Sequence, residues 1–205
     1  MTPQEIDRFF AALAGQFNIR TKIILTGAAA GAVWGSVRSS LDIDYAIEIE
    51  LSGQDPRLAW DKVQKAIQKT VALTGIPVNY ASDIDRWGAI SLLDYKKHVT
   101  LYKRFGAIKV YTLDPAYWSI GKITRYLEPD IQDMIAVFRG GDIAPELIIV
   151  VWGKAVRNSP VSTAQFEFRK HVEHFIWTYG AKIWGEKRNL EKLLDKFFEE
   201  AGISD

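Results

Sequence analysis

Residues 41–51 read LDIDYAIEIEL and alternate between a large apolar side chain and a small or acidic one. Alternation with a period of two is typical of a β-strand that buries one face and exposes the other. We therefore predict a strand over residues 41–51. Its apolar face would carry Leu41, Ile43, Tyr45, Ile47, Ile49 and Leu51. Its opposite face would carry four carboxylates, those of Asp42, Asp44, Glu48 and Glu50.

The sequence on both sides of this strand mixes helix and strand patterns. Upstream, residues 3–15 have helical periodicity, and residues 21–26 (TKIILT) form a short β-rich run that ends at Gly27. Downstream, residues 55–73 repeat apolar side chains at helical spacing, and residues 76–114 contain short strand-like runs. This order predicts an α+β fold in which a mixed sheet is flanked by helices.

After residue 114 the pattern becomes helical. Prolines at 115, 129, 145 and 160 precede helix-like stretches, because proline is favoured in the first turn of a helix. We expect Gly180 and Gly185 to divide the last of these stretches into two helices. The predicted organisation is an α+β core over residues 1–114 and a helical part with a C-terminal extension over residues 115–205.

The composition excludes several classes of function. The chain has 205 residues, of which 26 are basic and 25 acidic, and its net charge is +1. This balance gives no overall field that attracts nucleic acid, so such a partner needs a local basic patch. The absence of cysteine excludes thiol catalysis, thiolate metal sites and disulfides. With no signal peptide and no membrane-length apolar run, we predict a cytoplasmic protein without a membrane partner.

Asp42 and Asp44 are spaced to bind a divalent cation. Residues i and i+2 on one strand face lie about 6–7 Å apart, so both carboxylates reach one ion or bridge two. Mg²⁺ prefers hard oxygen ligands and usually takes one or two carboxylates together with substrate phosphates and waters. Gly27 ends the preceding strand, and a glycine turn before a helix lets backbone N–H groups approach a triphosphate.

The segments IILTGA (residues 23–28) and DIDY (residues 42–45) together resemble the nucleotidyltransferase superfamily that includes DNA polymerase β. Its pattern is an apolar strand, a Gly-Gly or Gly-Ser turn, and then an Asp-apolar-Asp strand. The run RSSLDID (residues 38–44) resembles more specifically the toxin-type nucleotidyltransferases of abortive-infection and type IV toxin–antitoxin-like systems, and their uncharacterised relatives. The resemblance extends over residues 20–138.

A second matching segment is VYTLDPAYWSIGKITRYLEPDIQDM, residues 110–134. It resembles the family's sequence of a strand, an Asp-Pro turn, a lysine-bearing helix and an Asp-x-x-Asp motif. The matching residues are Lys122, Arg125, Asp130 and Asp133. In the family, the lysine faces the nucleotide phosphates, and an acid shortly after it is also required. The resemblance therefore implies catalytic roles for Lys122 and for Asp130 and Asp133.

The implied function is metal-dependent nucleotidyl transfer from an NTP. Two Mg²⁺ ions held by Asp42 and Asp44 would bridge the nucleotide phosphates and activate an acceptor hydroxyl for in-line attack on the α-phosphorus. Lys122 would neutralise phosphate charge. The nucleotide-binding residues would be Gly27, Ala28, Arg38, Ser39 and Ser40. The implied acceptor is RNA, such as tRNA, or a protein. One biological role that the resemblance implies is that of a toxin with a cognate antitoxin.

Each of these features also has a structural explanation. An edge strand with an acidic outer face would carry the same carboxylates. Lys122 could be a solvated lysine on an amphipathic helix, and Asp130 could serve the helix dipole after Pro129. Ala28 stands where the family has Gly or Ser, and the third carboxylate of the superfamily has no clear counterpart, Asp94 being the nearest in order. The alternative function is a catalytically inactive module that binds a nucleotide or a partner protein.

Two stretches combine aromatic rings with cations, as surfaces that bind single-stranded or looped RNA do. One is KIWGEKR at residues 182–188. The other comprises Tyr95, Lys96, Lys97, Tyr102, Lys103 and Arg104. A solvated helix end and a solvated hairpin are the structural alternatives.

Overall fold

The computed structural model describes residues 1–36, 40–51, 53, 55–81, 84–92 and 94–203. The chain forms two compact units. The first comprises residues 1–33, 38–82 and 99–113, and the second comprises residues 34–37, 83–98 and 114–205. The longest segment of the second unit thus begins beside the predicted division after residue 114. Two shorter segments from the N-terminal half also belong to it.

The described residues form seven strands, eight α-helices and a short 3₁₀-helix at Tyr95–Lys97. The strands are β1 (Thr21–Leu25), β2 (Ile43–Ile49), β3 (Val78–Tyr80), β4 (Arg86–Trp87), β5 (Ile90–Ser91), β6 (Val99–Phe105) and β7 (Ile108–Leu113). The helices are α1 (Pro3–Ala14), α2 (Gly27–Val33), α3 (Pro56–Thr74), α4 (Pro115–Arg125), α5 (Glu128–Gly140), α6 (Pro145–Arg157), α7 (Thr163–Trp184) and α8 (Leu190–Ala201). Within the described residues, no helix has the length and apolar character needed to cross a membrane.

The first unit is built on a mixed five-stranded sheet with the strand order β3-β2-β1-β7-β6. β1 runs antiparallel to β2 and parallel to β7. Helices α1, α2 and α3 flank this sheet, and α1 contributes the fully buried side chains Ile6, Phe9, Phe10 and Leu13 to the core. The prediction of an α+β fold with a mixed sheet flanked by helices is confirmed.

Local signals fix the ends of the flanking helices. Thr2 and Glu5 form a reciprocal capping box at the start of α1, which satisfies two backbone N–H groups that the helix leaves unpaired. The Asp55 side chain accepts a hydrogen bond from the Arg57 N–H at the start of α3. Gly75 ends α3 in the left-handed conformation, with a φ of 70°, which glycine adopts without steric cost.

The acidic strand differs from its prediction in two respects. β2 begins at Ile43 and not at Leu41, whose side chain is 88% exposed. β2 also pairs with β1 on one side and, over Ile43–Tyr45, with β3 on the other, so the edge-strand explanation is wrong for Asp44. Glu48 lies opposite Lys22 of β1, and their charged groups are 3.8 Å apart.

The second unit is mainly helical. Its core is rich in aromatic side chains, including the buried Trp152, Phe138 and Phe175, and Trp152 donates a hydrogen bond of 2.9 Å to Ser119 Oγ. The predicted break at Gly180 is wrong: α7 continues through Gly180, and the missing side chain at this position lets Leu190 pack against the helix. The break at Gly185 is present, and α7 ends immediately before it.

Candidate active site

The chain turns at Gly27, between β1 and α2, and brings the Gly27 backbone against the carboxylate of Asp44. The β1–β2 pairing continues beyond β1, because the Thr26 N–H donates a hydrogen bond of 3.0 Å to the Asp44 carbonyl. Gly27 then adopts a φ of +59°. A Cβ added to Gly27 would lie 2.9 Å from Cγ of Asp44 and would overlap its carboxylate. Only glycine permits both this backbone conformation and this close approach.

Asp44 has a second neighbour that the sequence did not reveal. Asn79 of β3 lies directly opposite Asp44, and its side-chain amide donates a hydrogen bond of 3.0 Å to Asp44 Oδ1. On the other side of β1, Thr112 of β7 pairs with Leu25. Because Leu25 in turn pairs with Tyr45, the side chain of Thr112 lies on the opposite face of the sheet from Asp44, and the polar group beside this carboxylate is the Asn79 amide. The only sequence signal for Asn79 was its place within the short strand-like run IPVNY.

Asp42 immediately precedes β2 and is fixed by the preceding turn. The Ser40 hydroxyl lies 2.9 Å from the Asp42 carbonyl and 3.3 Å from Asp42 Oδ1. The N-terminal amine of Met1 in turn donates to the Ser40 carbonyl at 2.8 Å. Ser40 thus serves as a turn residue in this unit. Arg38 and Ser39, two of the predicted nucleotide-binding residues, lie outside the described residues.

The carboxylates of Asp42 and Asp44 provide a donor set that suits Mg²⁺. Both residues are half-buried, so their oxygens are positioned by the fold without being enclosed. Among the residues that the structure describes, no group of three or more His, Cys, Asp or Glu side chains is placed to hold a metal. Two carboxylates are nevertheless sufficient for Mg²⁺ when phosphates and waters complete its coordination.

Ala28 is half-buried in the first turn of α2. Its side chain is a methyl group, so only its backbone N–H has a hydrogen to donate to a phosphate. Because α2 has only seven residues, its dipole adds little to that N–H. Among the predicted metal-binding and nucleotide-binding residues described in the first unit, Gly27 and Asp44 are therefore the pair whose close contact requires a glycine.

The structure brings Lys122, Asp130 and Asp133 together in the second unit. Lys122 Nζ lies 2.9 Å from Asp130 Oδ1 and 2.7 Å from Asp133 Oδ2. All three residues are at most 2% exposed. Lys122 also lies over the Trp118 ring, 5.3 Å from its centroid. The alternative that Lys122 is a solvated lysine is therefore wrong, because its ammonium group is enclosed by two carboxylates and an aromatic ring.

Arg125 and Ser36 complete this buried ion cluster. Arg125 binds Asp130 through two hydrogen bonds, at 3.1 and 2.7 Å, and the Ser36 hydroxyl donates to Asp133 Oδ1 at 2.6 Å. Burial raises the pKa of Asp130, but the hydrogen bonds from Arg125 and Lys122 outweigh it and hold this pKa below its ordinary value. Ser36 was not predicted, since nothing in the sequence distinguishes it from other turn serines.

Other candidate residues have structural partners. Asp94, the nearest candidate for a third carboxylate, belongs to the second unit and forms an ion pair with Lys97 at 3.2 Å. The aromatic–basic stretch that starts at Tyr95 is divided between the two units. Within the first unit, Tyr102 and Lys103 both bind Asp7, at 2.9 and 2.7 Å.

Comparison with protein-family models, with curated proteins and with solved structures found no match to this chain.

Proposed function

We propose that the chain is a metal-dependent nucleotidyltransferase that moves a nucleotide from an NTP to an RNA or protein acceptor. The observation that carries this proposal is the contact between Gly27 and Asp44. A strand–glycine turn that presses its backbone against the carboxylate of a DID motif is the arrangement that would hold a triphosphate beside metal-binding oxygens. The toxin role and its cognate antitoxin are also part of this proposal, and they rest on the sequence resemblance alone.

In this proposal Asp42 and Asp44 would hold Mg²⁺, and Gly27 would place its backbone beside the phosphates. When bound, the metal would neutralise phosphate charge and favour the attack of an acceptor hydroxyl on the α-phosphorus, a step that releases pyrophosphate and the hydroxyl proton. Asn79 would keep the Asp44 carboxylate in one orientation through its hydrogen bond. The close packing at Gly27 leaves no room for a side chain between the carboxylate and the turn.

The roles of Lys122, Asp130 and Asp133 rest on the resemblance. Their geometry supports a positioning role for the two aspartates, since both bind the Lys122 ammonium group directly. A lysine that is 1% exposed and paired with two carboxylates already has its charge balanced. This observation favours a second candidate function, in which the chain binds a nucleotide or a partner protein without transferring a nucleotide.

Calorimetric titration of each of the four NTPs in the presence of Mg²⁺ tests the proposal. We expect binding of at least one NTP that requires Mg²⁺ and is lost in Asp42→Ala/Asp44→Ala. The matched control is Asp61→Ala/Asp195→Ala, which removes two exposed carboxylates elsewhere and should bind as the native chain does. No binding of any NTP at millimolar concentration, or equal binding by both double variants, would contradict the proposal.

A transfer assay separates the two candidate functions. Labelled NTP is incubated with Mg²⁺ and either tRNA or a protein mixture, and the label on each acceptor is measured. Nucleotidyl transfer predicts a labelled acceptor that disappears in Asp42→Ala/Asp44→Ala. Nucleotide binding without labelling of either class of acceptor would support the binding module instead.

A further inference from the structure

Three cations lie side by side across the sheet of the first unit, at the end remote from Asp44. Lys22 of β1 is paired in register with Lys109 of β7, and Lys109 is paired with Arg104 of β6. Neighbouring strands are about 4.8 Å apart, and like charges directly opposite each other destabilise a sheet. The row therefore carries an electrostatic cost that an anionic ligand would remove.

This row borders a concave site. Together with Arg20, the three cations line a cavity of about 350 Å³, whose remaining lining residues are Thr21, Glu50, Gly106 and Ala107. Glu50 is the one acid among those described lining residues. The cavity is thus a recess in which four positive charges face a single negative one.

Most of the positive charge in this cavity is not neutralised internally. Lys22 has Glu48 as a partner, with the charged groups 3.8 Å apart. Within the described part of the chain, Arg20, Arg104 and Lys109 form no ion pair. Because the whole chain has a net charge of only +1, this concentration of unpaired cations is local and does not follow from the composition.

A second basic cavity is lined in part by residues that immediately precede Arg20 in the sequence. Lys62, Lys65 and Lys69 project from α3 into a cavity of about 520 Å³. Its other wall is formed by residues 16–19, directly before Arg20. The helical rise of 1.5 Å per residue spreads the three lysines over about 10 Å. Phe17 also lines this cavity and provides an aromatic ring on which a base can stack.

We propose that these two cavities bind the phosphate backbone of single-stranded RNA. One cavity would take phosphates between Arg20, Arg104 and Lys109, and the other would take them along the α3 lysines. Recessed cations next to an aromatic ring suit a flexible strand, which can enter concave sites, better than a planar anionic bilayer. The binding needs neither an NTP nor Mg²⁺, so it is independent of the function proposed above.

Fluorescence anisotropy with a labelled single-stranded RNA tests this proposal, in the presence of EDTA and over a range of salt concentrations. The test variant is Arg20→Gln/Arg104→Gln/Lys109→Gln. The control variant is Arg139→Gln/Lys154→Gln/Lys192→Gln, which removes three exposed cations of the second unit that lie outside both basic–aromatic stretches and lowers the net charge equally. Each phosphate contact contributes about 0.7 to the slope of log affinity against log salt for single strands. We therefore expect the test variant to bind at least tenfold more weakly, with a slope smaller by about 2.

Urea unfolding of the same variants shows whether a loss of RNA binding results from a loss of folding stability. Because the substitutions relieve repulsion across three strands, the test variant should unfold at a urea concentration equal to or above that of the native chain. Equal RNA binding by the test and control variants would overturn the proposal. So would binding of the native chain to phosphatidylserine vesicles or to polyglutamate with no binding to RNA, since these outcomes would assign the surface to a membrane or to an acidic protein.

Discussion

The side-chain amide of Asn79 donates a hydrogen bond of 3.0 Å to Oδ1 of Asp44, across the parallel pair β3 and β2. An uncharged group thus occupies the strand position next to the carboxylate that lies against Gly27. The amide orients Asp44 without adding a negative charge. This relationship offers a direct way to test whether the end of the sheet binds a metal ion.

We expect Asn79→Asp to be destabilising without Mg²⁺ and to gain stability when Mg²⁺ is added. A second carboxylate directly opposite Asp44 repels it, which costs about 0.2–1 kcal/mol, whereas a cation bound only by the folded state stabilises that state. The measurement is the free energy of urea unfolding with and without millimolar Mg²⁺. Gln68→Glu, which adds one charge to the exposed face of α3, is the control. A Mg²⁺ effect of the same size in both variants would contradict the prediction.

Gly27→Ala should abolish Mg²⁺-dependent nucleotide binding and should also reduce stability. The left-handed φ of Gly27 costs an alanine roughly 1–2 kcal/mol, and its Cβ would in addition displace the Asp44 carboxylate. Gly75→Ala separates these effects, because Gly75 has a φ of 70° and no atom within 4 Å of an added Cβ. Calorimetric NTP titration and urea unfolding are measured for both. Normal nucleotide binding by Gly27→Ala would show that this contact does not serve the nucleotide.

Individual helices and strands were predictable, because hydrophobic periodicity and turn residues mark them in the sequence. Alternation predicted the β2 strand, and glycine and proline marked the ends of several helices. The pairing partners of β2 were not predictable, since β3 has only three residues, two of them exposed, and so short a run does not indicate which strand it pairs with. Leu41 was assigned to the buried face of the strand because the alternation does not show at which residue strand pairing begins.

For the ion cluster too, the sequence indicated the residues but not their surroundings. The family resemblance grouped Lys122, Asp130 and Asp133 in one matched segment, and the structure places them within hydrogen-bonding distance. Burial of all three was unexpected, because one lysine and two carboxylates resemble a solvated surface until their partners are known. Ser36 lies almost a hundred residues from Asp133 in the sequence, a separation that no local pattern can bridge.

Lys122→Met should destabilise the chain by about 3–5 kcal/mol, since removal of one member of a buried ion pair leaves uncompensated charge. Lys122→Met/Asp133→Asn should recover part of this loss, because Asp130 keeps Arg125 as its partner. Urea unfolding of the native chain, both single variants and the double variant gives the coupling energy. Additive effects of the two substitutions would contradict a direct interaction.

Arg125→Gln, whose native side chain is 43% exposed, should lower the free energy of unfolding by less than Lys122→Met does.

The contribution of Asp130 to stability should be lost in acid. The hydrogen bonds from Arg125 and Lys122 hold the folded-state pKa of Asp130 below its ordinary value of 3.8, against the opposing effect of burial. A carboxyl group of this kind stabilises the fold fully above the unfolded-state pKa, and its contribution disappears as the pH falls through the lower folded-state pKa.

Asp130→Asn lacks this titration, so we expect its deficit in unfolding free energy to be constant from neutral pH to about pH 4 and to narrow below it. Urea unfolding of both proteins across this range measures the difference. Asp61→Asn, at an exposed position of α3, controls for the general effect of removing one negative charge. If the deficit of Asp130→Asn widened in acid, Asp130 would have a raised pKa, and burial would dominate over its two cationic partners.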